Sequence, residues 1–452
     1  MLIDTHAHLN FRAYDNDREE VIKRCQEKGM AVINVGAQLA TSKSAVELAA
    51  KNKNFYACLG LHPIHAFDEP FNEADYAKLI NDKVVAVGEC GLDYWWFKYL
   101  NEPYKIVLLH GWGGSKDERF FIWLDSELTK LGHKVLRFNF PDSDNPNQEA
   151  WLKEMRQQIG YVNGKTLLVG FSLGGVSILR FLETLDEDAS VAGVYLLGTP
   201  STSLSYEEIK DFFKTDFDWN HLNAVCQNFN VYSSTNDEVV PAEHGQKLAD
   251  KLKTKVKLIN NAWHFNLDKL SELLVNINED IIACEKKLPT IEQVVKKQEE
   301  VLLAQINLAK KHNLALMLHG RNGLENKDVY AEMLAILKKE KVERAVFHCY
   351  GGTLATAKEI VKNGYFIGID GPVTFTKKAE EIQSIAKEIP LQNLLIETDA
   401  PYLTPEPYRG QRNESIYVEL VAAKIAELRG ITKDEVIEQT WQNAKKVFNF
   451  NI

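Results

Sequence analysis

The sequence predicts an α/β protein, a (β/α)8 TIM-type barrel interrupted after its fourth strand by a second, parallel-sheet α/β domain. Three observations carry this reading. Eight strand-like apolar runs alternate for the most part with stretches of helical apolar spacing. Histidines and carboxylates recur at the C-terminal ends of these runs, the face on which such barrels do chemistry. Between the fourth and fifth runs, beyond Asn101-Glu102-Pro103, a separate strand–helix alternation starts at KIVLLHGWGG and lasts until about Asp280. The expected division is residues 1–99 with 287–452 for the barrel and 100–286 for the insert, with linkers over Phe97–Tyr104 and Glu279–Thr290.

The eight runs are LIDTHAH, MAVINVG, FYACLGLHP, VVAVGEC, LALMLHG, RAVFHCY, YFIGID and LLIETDAP. Between them, REEVIKRCQEKG and EQVVKKQEEVLLAQINLAKKH read as amphipathic helices. The fourth run is the pivot: β-branched residues end in Gly-Glu-Cys-Gly, so a buried strand delivers Glu89 to its solvent end. The insert then leaves from the loop between the fourth strand and the fourth helix. It is placed to act as a wall or lid over the cleft, and its two ends should lie close together.

At 452 residues the chain is long enough for two cores, and its 45% hydrophobic and 26% charged residues suit a soluble globular protein. No apolar run is long enough to span a bilayer, and MLIDTHAHLN resembles no export signal, so a cytoplasmic location without membrane partners is expected. Six scattered cysteines without a CxxC pair suit reduced thiols rather than a disulfide framework or a zinc knuckle. The net charge of -10 argues against broad electrostatic binding of nucleic acid. A metal-lined cleft acting on phosphate remains compatible with it, since bound cations reverse the local field.

His6 and His8 stand two apart on a strand, so both imidazoles point the same way and can share one cation. An HxH pair alone also occurs for structural reasons. With Glu89, His319, His348 and Asp399 it forms a set of four histidines and two carboxylates, enough for two divalent metal ions (Mg, Mn or Zn), with Glu89 bridging. Hydrolysis follows from such a centre, and Asp399 suits both a ligand and the base that orients water. Arg321, two residues past His319, carries a fork suited to a phosphate oxygen or, equally, to a surface salt bridge.

DTHAHLN, GLHP, VGECGLDYW, LMLHGR, FHCYGG, ETDAPYL and RGQRNE, in this order, resemble the TatD family of metal-dependent deoxyribonucleases of the amidohydrolase superfamily. The resemblance spans residues 1–99 and 287–452. It implies His6, His8, Glu89, His319, His348 and Asp399 as ligands, His62 and Arg321 as substrate-binding residues, and Arg409, Asn413 and Glu414 as braces of the last loop. Gly351 and Asn322 depart from it, standing where a serine and an acidic residue are usual.

In the insert, KIVLLHG, KVLRFNF, KTLLVGFS, VAGVYLLG, FNVYSST and KVKLINN read as strands, and FFIWLDSELTKLG and EEIKDFFKTDF as helices. Gly170-Phe171-Ser172-Leu173-Gly174 is GxSxG between strand and helix, the nucleophile elbow. Asp237 and His264 follow later strands, so the order Ser172, Asp237, His264 is that of an α/β-hydrolase triad, although His264 also fits a core histidine. The backbone N–H groups of Trp112, in HGWGG, and of Leu173 are the expected oxyanion donors. His133, His221 and His244 lie in or beside helical segments and are less well placed. HGWGG, GFSLGG, Asp218-Trp219, STNDEVVP and the His264-Phe265 pair resemble the retinoblastoma-binding-protein-like or YdeN-like serine hydrolases over about residues 104–270. Phe171 departs from that group where histidine is usual, and Asn261-Ala262-Trp263 where glycines are.

The expected function is a TatD-like deoxyribonuclease cleaving DNA or another phosphodiester through a two-metal-activated water, with an esterase-type serine site for a small ester or amide. The competing reading is a barrel hydrolase for another ester or amide, such as a mischarged tRNA, with the insert as a non-catalytic lid or interaction module.

Overall fold

The computed structural model describes residues 1–67, 69–95, 102–185, 189–287, 289–323 and 327–449. The expected linker residues Phe97–Asn101 lie outside them. The chain divides into two compact units, Met1–Leu100 with Pro289–Ile452, and Asn101–Leu288. In chain order the first unit supplies β1 (Ile3–Ala7), β2 (Ala31–Val35), β3 (Phe55–Leu59) and β4 (Val84–Asp93). The second unit follows with β5 (Lys105–Leu109), β6 (Lys134–Arg137), β7 (Thr166–Phe171), β8 (Gly193–Leu197), β9 (Phe229–Ser234) and β10 (Val256–Ile259). The first unit resumes with β11 (Ala315–Arg321), β12 (Ala345–Phe347), β13 (Phe366–Ile369) and β14 (Leu394–Ile396).

The first unit is an eight-stranded parallel sheet in the order β1-β2-β3-β4-β11-β12-β13-β14. Its ends meet: Ala7 bridges Ala400, His8 N–H donates to the Ala400 carbonyl at 2.7 Å, and Asp399 N–H donates to the His6 carbonyl at 3.0 Å. Strand periodicity sorts the side chains. Ile33, Val35, Cys58, Met317, Val346 and Leu395 form one cluster with Trp441 and Phe448 of the last helix, while Val32, Ala57, Leu59, Leu316 and Leu318 pack in a second, larger cluster with residues of the surrounding helices. Both faces are therefore covered, which is why these strands read as nearly continuous apolar runs.

One strand differs from expectation. Glu89 does not end β4, which continues four residues further to Asp93 and pairs His319 with Gly91 and Arg321 with Asp93. Gly91 (φ +144°) makes this possible, because a Cβ there would sit 2.0 Å from the His319 carbonyl oxygen.

The second unit is a six-stranded parallel sheet in the order β10-β9-β8-β7-β5-β6, with separate apolar clusters including the helix residues Trp151 and Met155 in one and Phe121 and Leu124 in the other. Two expectations fail here. Glu207–Phe217 forms only a short 3-10 turn, Lys210–Phe213, because the buried Arg180 guanidinium takes the carbonyls of Phe212 and Thr215 that a helix would use. The expected linker from Glu279 is the end of a helix, Ser271–Lys287, whose Ile277 and Ile281 are buried and whose Asp280 accepts from Tyr195 at 2.5 Å. Among the described residues no helix is long and apolar enough to cross a membrane.

Candidate active sites

His319 continues the inward parity of Met317 on β11, while His6 stands next to the end of β1 with His8 just past it, and Glu89, His348 and Asp399 come from β4 and from just beyond β12 and β14. The fold brings all six together. One carboxylate oxygen of Glu89, Oε2, lies 3.6 Å from His6 Nε2 and 3.7 Å from His8 Nε2. Asp399 Oδ1 completes that group at 3.6 and 3.5 Å from the same nitrogens. The other oxygen of Glu89, Oε1, lies 2.8 Å from His319 Nδ1 and 2.6 Å from His348 Nε2. Asp399 holds φ +54°, an uncommon left-handed conformation that aspartate tolerates better than most residues.

Hydrogen bonds fix which nitrogens face inward. His8 Nδ1 meets the Val35 carbonyl at 2.9 Å and His6 Nδ1 meets the Met317 sulfur at 2.9 Å; neither partner has a hydrogen to give, so both Nδ1 atoms are donors. Two Nε2 lone pairs are thereby turned toward each other at 3.1 Å, an arrangement that calls for positive charge between them. The protonation behaviour agrees. Burial, followed by the charge of His348, depresses His6 to about 4. Burial also acts against a charged His8 and a charged His319, yet Asp399 and Glu89 pull His8 upward, and Asp93 and Glu89 lift His319 to about 10. Burial would raise the Glu89 carboxyl, but the charges of His348 and His62 hold it well below its usual range. His6, His8 and Glu89, and likewise Glu89, His319 and His348, each bring three ligand atoms within 4.8 Å of one another, so the donor set fits divalent-metal binding.

His62 is close but differs in role. Its Nδ1 accepts from the Ile64 N–H at 3.2 Å, so Nε2 carries a hydrogen toward Glu89 Oε1, 3.5 Å away. Arg321 is exposed, with its guanidinium over the Trp95 ring at 4.4 Å. Asn413 is buried and bonds the carbonyls of Thr398 and Tyr402 at 2.8 and 2.6 Å, Glu414 pairs with Arg24 at 2.8 Å, and Arg409 lies over Phe375. Asn322 accepts from the N–H of Val329, at the start of the helix Val329–Lys339, and Gly351 N–H donates to the Tyr330 hydroxyl.

In the second unit Ser172 has φ +54° and ψ −124° at the turn between β7 and the helix Leu173–Glu183. A Cβ on Gly174 would sit 2.3 Å from the Leu109 carbonyl oxygen, so the glycine lets that helix approach β5 and the serine stand clear. The HGWGG loop passes directly over the serine: a Cβ on Gly111 would lie 3.3 Å from Ser172 Oγ. That brings the loop bearing Trp112 to Ser172, while Leu173 follows it on the helix. Asp237 is buried and its Oδ2 holds His264 Nδ1 at 2.8 Å. No hydrogen bond joins Ser172 Oγ to His264 among the described residues, and such contacts commonly tighten only with substrate bound. Phe171 packs on the His264 ring with centroids 4.9 Å apart.

The bulky loop around His264 keeps left-handed backbone without glycines, with φ +55° at Asn261 and +52° at Trp263 before it and +49° at Phe265 after it. Its support comes from the stretch preceding Asp237. Thr235 Oγ1, Ser234 Oγ and Asn236 Oδ1 accept from the N–H groups of Asn261, Ala262 and Trp263 at 3.3, 3.0 and 2.9 Å. Asn236→Ala removes the acceptor next to His264 and is expected to cost about 1 kcal/mol of stability and several-fold in ester hydrolysis; denaturant melts and p-nitrophenyl acetate kinetics check this. His221 bonds the Leu182 carbonyl and His244 bonds Ser201.

The TatD related DNase family model matches residues 3–111 and 285–449, more than half of the chain. The chain belongs to that family. A Serine hydrolase family model matches residues 106–272, so the TatD match is split around a serine hydrolase domain. The chain is 43% identical over 156 residues to the uncharacterized metal-dependent hydrolase YabD of Bacillus subtilis, covering 34% of this chain and 58% of that protein. It is 34% identical over 161 residues to the 3'-5' ssDNA/RNA exonuclease TatD of Klebsiella pneumoniae, covering 34% and 59%. The chain thus spans less than two thirds of the length of these relatives. The solved structure of the ydeN gene product from B. subtilis aligns with a TM-score of 0.38 at 24% identity, over 39% of this chain and 98% of that one.

In this TatD-family barrel the sequence reading missed Asp93 and Glu397. Asp93 is buried and holds His319 Nε2 at 3.0 Å, which directs Nδ1 toward Glu89. Its signal was present in GECGLD, where Asp93 keeps the parity of Glu89. Glu397, fully buried in IETDAP, lies 3.8 Å from His348 Nδ1 and takes the Cys349 N–H at 2.5 Å. Asp93→Asn is expected to weaken divalent-metal binding about 10- to 100-fold. Competition against a chelating dye measures this, and unchanged affinity would remove Asp93 from the support of His319.

Proposed function

We propose that residues 1–99 with 287–452 form a metal-dependent phosphodiesterase of the deoxyribonuclease type, and that residues 100–286 form a second, esterase-type serine hydrolase. The observation that carries the first half is the sharing of the two Glu89 oxygens, one facing His6 and His8, the other facing His319 and His348. Divalent cations held by these residues and Asp399 supply charge that polarises a phosphoryl oxygen and acidifies a water. Asp399 accepts the proton of the attacking water, because a carboxylate kept ionised among histidines can still act as a base. Burial pulls it upward, but a hydrogen bond from His8 and the surrounding histidines hold it below its ordinary range. The Nε2–H of His62 donates to a phosphate oxygen, and Arg321 binds on the outer side of the cleft. The match to a family described as DNases, and to a relative named an ssDNA/RNA exonuclease, supports phosphodiester over other esters.

In the second unit Ser172 attacks a small ester, His264 takes its proton, Asp237 orients His264, and the N–H groups of Trp112 and Leu173 receive the oxyanion. The test of the barrel reading is hydrolysis of bis(p-nitrophenyl) phosphate and a 3′-labelled single-stranded oligonucleotide with Mg²⁺, Mn²⁺ or Zn²⁺. Cleavage that requires metal is the expected result. No cleavage under any metal, with turnover of amides or lactones instead, would transfer the assignment to another scissile bond.

A further inference from the structure

The extension of β4 past Glu89 builds a feature that the metal centre does not use. Trp95 follows Asp93, and its N–H donates to Asp93 Oδ1 at 2.9 Å while the other oxygen of Asp93 holds His319. Across the strand pair Arg321 stands opposite Asp93, two residues beyond His319, and its guanidinium lies over the half-buried Trp95 ring at 4.4 Å. Arg321 is exposed. A flat cation is thus held against an indole on an exposed side chain, about 6.6 Å along the strand from a proposed metal ligand, at roughly 3.3 Å per residue. Guanidinium planes and aromatic rings are the surfaces on which unpaired nucleobases stack, with little regard to base identity. An arginine already held against a ring loses less freedom when a base covers it than a free one would.

We propose that Arg321 on Trp95 is a stacking platform for the unpaired nucleobase adjoining the scissile phosphodiester. This rests on the phosphodiesterase reading above.

The experiment uses tetranucleotides with one cleavable phosphodiester, the other linkages being methylphosphonates, in three forms: all bases present, or an abasic tetrahydrofuran residue on one or the other side of the cleavable bond. Hydrolysis of bis(p-nitrophenyl) phosphate by the intact protein is measured alongside. In the intact protein one of the two abasic forms should be cleaved about 10- to 100-fold less efficiently than the full substrate. In Arg321→Lys and in Trp95→Leu that ratio should fall to within about twofold, because lysine keeps the charge but not the plane. Equal cleavage of all three forms by intact protein that hydrolyses the small diester would overturn the platform alone. A ratio preserved in Arg321→Lys, with all forms slowed alike, would make Arg321 a phosphate contact and also overturn it. Failure to cleave either the oligonucleotides or the small diester would remove the phosphodiesterase reading and the platform with it.

Discussion

Replacing Glu89 by alanine is expected to lower metal-dependent phosphodiester hydrolysis by on the order of 10³ or more. Among the described residues, Glu89 is the one side chain whose two oxygens reach both halves of the histidine cluster. Its removal takes away charge from both proposed cation places, and a loss of several kcal/mol of transition-state stabilisation corresponds to about three powers of ten. The carboxylate is also what compensates the buried histidines around it, so without it positive charge is disfavoured near His6, His319 and His348. A readout independent of turnover follows. Divalent metal should raise the melting temperature of the intact protein, because a ligand that binds only the native state stabilises it, by about 2.7 kcal/mol at one hundred times its Kd. That rise should disappear in Glu89→Ala. Persistent metal stabilisation together with undiminished hydrolysis would move the metal centre elsewhere.

Ser172→Ala is the second large effect. Removing the nucleophile of a working triad costs up to about 10⁶ in turnover, with a residue of catalysis left to the oxyanion donors. The variant should lose reaction with a fluorophosphonate probe and essentially all hydrolysis of p-nitrophenyl acetate. Phosphodiester cleavage should persist, because the serine sits in a sheet and core of its own, with none of the proposed metal ligands in that unit. The geometry favours a competent site: the strained Ser172 backbone, the Asp237–His264 bond and the close approach of the HGWGG loop are all in place. Intact protein that neither labels nor turns over esters would leave the insert with a non-catalytic role, and Phe171 against the His264 ring would be the first place to look for the reason.

Much of this was legible in the sequence because the signals are local. All eight barrel strands were visible as largely apolar runs, since a parallel strand covered on both faces carries few polar residues, Asp4, Thr5 and His6 of β1 and Asn34 of β2 being buried departures. The candidate site residues were legible for the complementary reason: His6, His8, His348 and Asp399 stand at or just past the ends of those runs, and GxSxG carries its own turn geometry. Where a helix ends was less legible. The stretch from Glu207 to Phe217 has helical spacing, but its carbonyls are taken by Arg180, which lies far from it in sequence.

The sequence by itself determined the class of fold, the interruption after the fourth strand and the kinds of side chain brought to each site, because these depend on periodicity, turn residues and order along the chain. Tertiary structure alone decided the rest. How far β4 runs depends on the room β11 leaves beside Gly91; which nitrogen of each histidine faces inward depends on Val35, Met317 and Asp93; and the hold on the His264 loop depends on Ser234, Thr235 and Asn236. Each is a contact between residues set apart along the chain, and no pattern within a single run of residues encodes the distance between them.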